Sequence, residues 1–151
     1  MNRPAVLHKS DLFDALDEDE LKLVASIAEK KQVDTGTVIC KQGRVEENIY
    51  IVETGSVAII LEVGYHSDRQ VQAASILESC GWSAMVEPFI STATVKANEK
   101  TSLVYFRGED LRRFCQDNPE IGIKIYHAVA RVVATRLRQA YDQLLGITSQ
   151  D

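Results

Sequence analysis

From Thr37 to Phe106 the chain is cut into short runs rich in β-branched residues, and nearly every cut carries a glycine. The runs are Thr37–Lys41, Asn48–Glu53, Ser56–Val63, Gln70–Leu77, Thr92–Ala97 and Thr101–Phe106. Between them lie Gly43, Thr54-Gly55, the stretch Gly64-Tyr65-His66-Ser67-Asp68, and a loop that opens at Cys80-Gly81. In Ser56–Val63 the alternating Val57, Ile59, Leu61 and Val63 mark one face; after the loop, Ala93, Val95 and Ala97 oppose Thr92, Thr94 and Lys96. Successive side chains of a strand point to opposite faces, so this alternation predicts half-buried strands. Many such strands joined by glycine-bearing turns predict a sandwich or barrel.

The flanks follow a different rhythm. Residues 10–31 carry Leu12, Phe13 and Leu16, then Leu21, Val24, Ile27 and Ala28, a helical period. Asp17 and Glu20 have capping-box spacing, which predicts two short helices with a break near Leu16–Asp17. After Phe106, Gly108-Glu109-Asp110 precedes a short helix that Asn118-Pro119 ends. A long helix is then expected over Pro119–Leu145, with proline in its first turn and Gly146 as its C-terminal cap. Its apolar stripe runs through Ile121, Ile125, Val129, Val132, Val133, Leu137 and Leu144. That is longer than one small barrel covers, and a second copy of the helix is the expected cover for the rest. The chain therefore reads as one domain over 10–145: helices at 10–31, a barrel at 36–106, helices at 108–145, and tails at 1–9 and 146–151.

Several function classes drop out. The three cysteines, Cys40, Cys80 and Cys115, are far apart, with no C-x-x-C pair, so buried packing is expected rather than a metal cluster or disulfide frame. His8, His66 and His127 form no ligand spacing, and no G-x-S-x-G elbow is present. No catalytic set emerges, and no metal or obligatory cofactor is expected. A net charge of −5 argues against wholesale nucleic-acid binding. Between Gly122 and Tyr141, however, the charges are all basic: Lys124, Arg131, Arg136 and Arg138. No apolar run is long enough to span a bilayer and no signal peptide opens the chain, so a cytoplasmic protein without membrane contact is expected.

The order of helices, glycine-punctuated strands, a loop with a helical turn and a long helix resembles the cyclic-nucleotide-binding domain of bacterial catabolite-activator/FNR-type regulators. The likeness is strongest in TGTVICKQGRVEENIYIVETGSVAI, Thr35 to Ile59, where Gly36, Gly43 and Gly55 fall at that family's strand bends and Ile49-Tyr50-Ile51-Val52 matches its central strand. LFDALDEDELKLVA, from Leu12, is similar to its N-terminal helices. The resemblance implies a mainly β fold with flanking helices: a double-stranded β-helix, or jelly-roll barrel, with N-terminal helices and a long C-terminal helix. It also implies a phosphate-binding cassette that reads roughly Gly-Glu-x-Ala-Leu and, a few residues later, Arg-Ser/Thr-Ala.

Here the cassette keeps its length and loses its charges. Gly81 and Ala84 match, Thr92 and Ala93 match the tail, but Trp82 stands where the ribose-binding glutamate is expected and Ser91 where the phosphate-binding arginine is expected. A charge-assisted hydrogen bond to phosphate contributes roughly 1.5–3 kcal/mol, so the arginine's loss alone weakens binding by about one to two orders of magnitude. The usual cAMP or cGMP mode is disfavoured.

The expected ligand-contacting residues are Gly81, Trp82, Ser83, Ala84, Ser91, Thr92, Ala93 and Arg136, taking a nucleotide-like or other small anionic effector. Arg136 on the long helix is expected either to be a solvated arginine beside the dimer seam or to substitute for the lost cassette arginine; Trp82 is expected either to stack on a flat ligand or to plug the core. The chain ends at Asp151, soon after Leu145, so no helix-turn-helix reader and no sequence-specific DNA binding is expected. Two functions follow as expectations. One is a stand-alone sensory or regulatory domain that dimerises through the Pro119–Leu145 helix. The other is a ligand-free module whose shut barrel presents surfaces to a partner protein.

Overall fold

The structure is a computed structural model that describes residues 3–64 and 68–146. Two antiparallel four-stranded sheets face each other. Eight strands are formed among the described residues: β1 (Glu29–Val33), β2 (Val38–Cys40), β3 (Asn48–Thr54), β4 (Val57–Glu62), β5 (Asp68–Ala74), β6 (Ser79–Cys80), β7 (Thr94–Ala97) and β8 (Thr101–Arg107). One sheet has the order β1-β8-β3-β6 and the other β2-β7-β4-β5, the alternation of a jelly roll. Helices α1 (Arg3–His8), α2 (Glu18–Ala25), α3 (Gly108–Asp117) and α4 (Pro119–Leu144) complete the chain. The expected turn at Tyr65-His66-Ser67 and the tail beyond Gly146 lie outside the described residues.

Strand β3 organises the interior. Tyr50 and Val52 face the barrel, where they pack with Val57, Ile59, Val95 and Leu103. Ile49 and Ile51 face the other way, toward a second core built with Phe13, Val24, Leu111, Ile125 and Val129 from the helical flanks. Alternate residues of one strand thus serve two cores, and all four are at most 3% exposed. Phe106 of β8 joins the helical core, its ring 5.2 Å from that of Phe13.

The N-terminal region differs from expectation. The first helix lies at Arg3–His8, inside the expected tail, and residues 9–15 are turns. Asp11 is the reason: its N–H donates to the Leu77 carbonyl at 3.2 Å and its Oδ2 accepts from the Ser79 N–H at 3.1 Å, bonds to a distant loop that a helix at 10–16 would forfeit. Ser10 closes α1, its Oγ donating to the Leu7 carbonyl at 2.7 Å. The predicted cap does form on α2, where the Asp17 Oδ1 accepts from the Glu20 N–H and the Glu20 carboxylate from the Asp17 N–H, both at 2.9 Å. Residues 29–31 belong to β1, not to a helix. Glu29-Lys30-Lys31-Gln32-Val33 has no apolar alternation, yet it pairs in register with β8, and the Lys31 ammonium sits 5.0 Å from the centre of the Tyr50 ring.

At the other end, α3 and α4 meet closely: a Cβ on Gly122 would lie 2.6 Å from the Cys115 carbonyl oxygen, so glycine is what permits the contact. Ile121, Ile125, Val129 and Val132 of α4 are buried in the helical core. The basic set on this helix disperses. Lys124 pairs with Glu20 at 2.7 Å, Arg131 with Asp14 at 2.9 Å, Arg136 turns inward, and Arg138 stays exposed. It is therefore not one continuous basic face.

Because Phe106 joins the helical flank to the sheet, Phe106→Ala is expected to lower unfolding free energy by about 3–5 kcal/mol, read as the shift in a urea transition at constant slope; a change under about 1 kcal/mol would show that the two layers do not depend on it.

Candidate functional site

Between β6 and β7 the chain crosses from one sheet to the other, and this crossover forms a wall of a cavity of about 330 Å³. Gly81 starts it at φ +81°, where a Cβ would stand 2.7 Å from the Asn48 carbonyl oxygen. Position and conformation both demand glycine. A single 3-10 turn follows over Trp82–Met85, closed by the Ala84 N–H on the Gly81 carbonyl at 3.0 Å. The descending arm is tied to the β2–β3 loop: the Ser91 N–H donates to the Arg44 carbonyl at 2.8 Å and the Glu46 N–H to the Phe89 carbonyl at 2.7 Å. Arg112 of α3 lies over the Phe89 ring at 4.2 Å and donates to the Ala84 carbonyl, clamping the loop from outside.

Of the expected residues, Gly81, Trp82, Ser83, Ser91, Thr92, Ala93 and Arg136 line this one cavity. Ala84 does not. It is fully buried in the helical core, where a small side chain lets the turn sit against α3 and α4. Trp82 is half-buried, one part packing on the helical core and another standing in the cavity wall. Ser91 Oγ donates to the Ala93 carbonyl at 2.8 Å, so its proton is held by its own loop.

The sequence reading missed the other walls. Ile59 and Leu61 come from β4 and Val95 from β7, and their alternation was the available signal. Val133, Leu137 and Ala140 join Arg136 on one side of α4, at helical spacing. Gln72 of β5 carried no signal; its Nε2 donates to the Arg136 carbonyl at 2.7 Å, fastening α4 to the barrel.

Among the described residues Arg136 is the single charged side chain in the lining. It is 8% exposed, with Nη2 donating to the Ser79 carbonyl at 2.6 Å and Nη1 reaching the Ala73 carbonyl at 3.5 Å. Behind it, burial raises the Asp11 carboxyl above its usual range, while the Ser79 hydrogen bonds and the Arg136 charge pull it down. Burial also pushes the Cys80 thiol up to about 12, which keeps it protonated and unreactive at neutral pH. Among the described residues no group of histidine, cysteine and carboxylate side chains is arranged to hold a metal ion. A second hollow, of about 490 Å³, is edged by Glu46, Phe89, Arg107 and Arg112. Arg107 there pairs with Glu29 at 3.3 Å and Arg112 serves the loop clamp, so its cations are already engaged.

The comparisons agree with this geometry. The family model described as "Cyclic nucleotide-binding domain" matches residues 30–118. A cAMP-dependent protein kinase regulatory subunit of Blastocladiella emersonii is 30% identical over 117 residues, 78% of this chain and 29% of that protein, so the chain spans under a third of that relative's length. A crystal structure of a protein from Geobacter metallireducens described as cyclic nucleotide-binding superposes with a TM-score of 0.77 at 27% identity, covering 91% of this chain and 99% of that one. The catabolite activator protein of Thermus thermophilus superposes at 0.76 and 25% identity, covering 89% of this chain and 62% of that one. Among the described residues no helix is long and apolar enough to cross a membrane.

Gly81→Ala puts a methyl against the Asn48 carbonyl in a left-handed backbone. It is expected to destabilise by about 1–3 kcal/mol, seen as a lowered melting temperature; an unchanged melt would show that the crossover tolerates another path.

Proposed function

We propose a function from one premise: the chain belongs to the cyclic nucleotide-binding domain family. It acts as a regulatory domain that takes a small effector in the cavity between the crossover, the barrel and α4, and it does not use the family's usual cyclic-nucleotide contacts. The observation that carries this reading is the lining itself. Seven residues singled out from the sequence meet around one cavity, yet Trp82 and Ser91 occupy the two positions where the family resemblance calls for glutamate and arginine. Support for an open pocket, against the rival of a shut interaction module, comes from Trp82, which stands in the cavity wall and does not fill the space.

Output through a dimer is the second part of the proposal. Besides its buried stripe, α4 carries a second one: Ile123, Tyr126, Ala130, Val133, Leu137, Ala140 and Leu144, spaced alternately by three and four. That is the heptad spacing of a two-helix seam. Its large members are open to water, with Ile123 at 72%, Leu137 at 49% and Leu144 at 76% exposed. The occupant proposed for it is α4 of a second copy. Val133, Leu137 and Ala140 belong both to this stripe and to the cavity, so occupancy of one surface alters the other.

Two measurements test these parts. In thermal melts the wild type is expected to respond weakly to cAMP and cGMP, whereas the double variant Trp82→Glu with Ser91→Arg gains affinity by roughly 10- to 100-fold, the worth of one charge-assisted contact to phosphate. Wild-type binding as tight as the double variant's would sink the reading. In light scattering at tens of micromolar, the wild type is expected at twice the mass of one chain, and Ile123→Glu with Leu144→Glu at the mass of one; a monomeric wild type removes the helix seam.

A further inference from the structure

The effector's chemical class follows from how the cavity treats charge, and this step rests on the effector-binding reading above. Among the described residues Arg136 takes part in no salt bridge, although it is more than nine-tenths buried. Its bonds go to two backbone carbonyls, and Asp11 acts on it only from beyond contact distance. A desolvated cation held by neutral dipoles is costly unless an anion meets it. A guanidinium offers five N–H donors in a planar fork, and the two carbonyl bonds leave donors over. That fork matches a carboxylate, edge to edge.

Most of the remaining lining is apolar, with Gln72, Ser83, Ser91 and Thr92 as its uncharged polar side chains. Ile59, Leu61, Val95 and Leu137 supply aliphatic surface, and Trp82 supplies an aromatic one. The Ser91 hydroxyl donates to its own loop at the Ala93 carbonyl, while the Ser83 and Thr92 hydroxyls also line the cavity. Among the described residues Arg136 is the one charged side chain of the lining, and its fork matches a single negative group. A volume of 330 Å³ lies near the small end of the range for small-molecule sites, about 300–1,000 Å³.

We propose that the cavity binds an aromatic monocarboxylate, its carboxylate on Arg136 near Ser79 and its ring against Trp82 and the aliphatic wall. The anion-binding role that the family gives to the crossover loop has passed to α4. The same helix carries the exposed heptad stripe, so a bound carboxylate acts on the dimerising element directly.

The test uses the full-length chain with phenylacetate and 3-phenylpropionate, their neutral amides, inorganic phosphate and cAMP, read by calorimetry and by thermal melts. Each acid is expected to bind about tenfold or more tighter than its own amide, the worth of a charge-assisted bond, and tighter than phosphate or cAMP. Arg136→Met is expected to abolish the preference for acid over amide; it also leaves the Ser79 carbonyl without its donor and Asp11 without the facing charge, so its ligand-free melt is expected to fall and the acid-to-amide ratio is the readout. Arg136→Lys keeps the charge without the fork and is expected to retain part of the preference; should Arg136→Met fail to fold, this variant and the acid–amide pairs carry the test. Equal binding of acids and amides, a preference that survives Arg136→Met, or tighter binding of cAMP overturns the carboxylate assignment and leaves an effector pocket standing. Failure of every compound to bind overturns both.

Discussion

A strand buried on both faces needs something to pack against on each, and β3 is that strand. Ile49 and Ile51 are sealed under the helices while Tyr50 and Val52 are sealed inside the barrel. The helical flanks are thus a structural half of the domain, since without them one face of β3 and Phe106 of β8 would meet water. The same double burial fixes the register of β3 against β8, because a one-residue slip would exchange the two sets of side chains. Once β3 and β8 are set, the chain must leave β6 beside Asn48 and cross to the other sheet. Gly81 is the residue that lets it pass.

That crossover explains how a loop can keep its shape while its chemistry changes. Its path is held by contacts that involve no ligand: the tie of Ser91 to Arg44, the tie of Glu46 to Phe89, and the Arg112 clamp. None of these depends on the residues at positions 82 or 91 carrying a charge. Folding therefore does not require ionic groups there, and this sequence has Trp82 and Ser91 at those positions. Among the described residues the cavity lining has one cation, Arg136 on the opposite wall, supported by backbone carbonyls, with its helix fastened by Gln72. The chain belongs to the cyclic nucleotide-binding domain family, and the described lining carries its charge on α4, at Arg136.

Helix α4 answers to both layers. Its first half is a core element, with Ile121, Ile125, Val129 and Val132 under the barrel. Its second half carries Arg136, Leu137 and Ala140 along the cavity rim. The ion pairs of Lys124 to Glu20 and Arg131 to Asp14 hold it to the N-terminal segment, and Arg136 neighbours Asp11 across Ser79. These contacts place the cavity, the N-terminal turns and the exposed stripe in one connected set of side chains.

Local patterns were legible in the sequence because they depend on neighbours in the chain. The two-residue period gave β4 and β7, Asp17 and Glu20 gave the cap of α2, and Pro119 gave the start of α4. The resemblance added the position of the crossover and the two altered residues in it. Where tertiary contacts override local preference, the sequence was silent or misleading. The polar stretch of β1 becomes a strand through pairing with β8, β6 is too short at two residues to show a period, and Asp11 unwinds a helical pattern by bonding across to Leu77 and Ser79. The sequence by itself determined the jelly-roll architecture and the uncharged residues at positions 82 and 91, both written in spacing and residue type. Only the tertiary structure decided that Arg136 points inward, that Trp82 stands in a wall without filling the space, and that strands far apart in sequence leave a cavity between them; distances across a fold are set by packing, which no local period encodes.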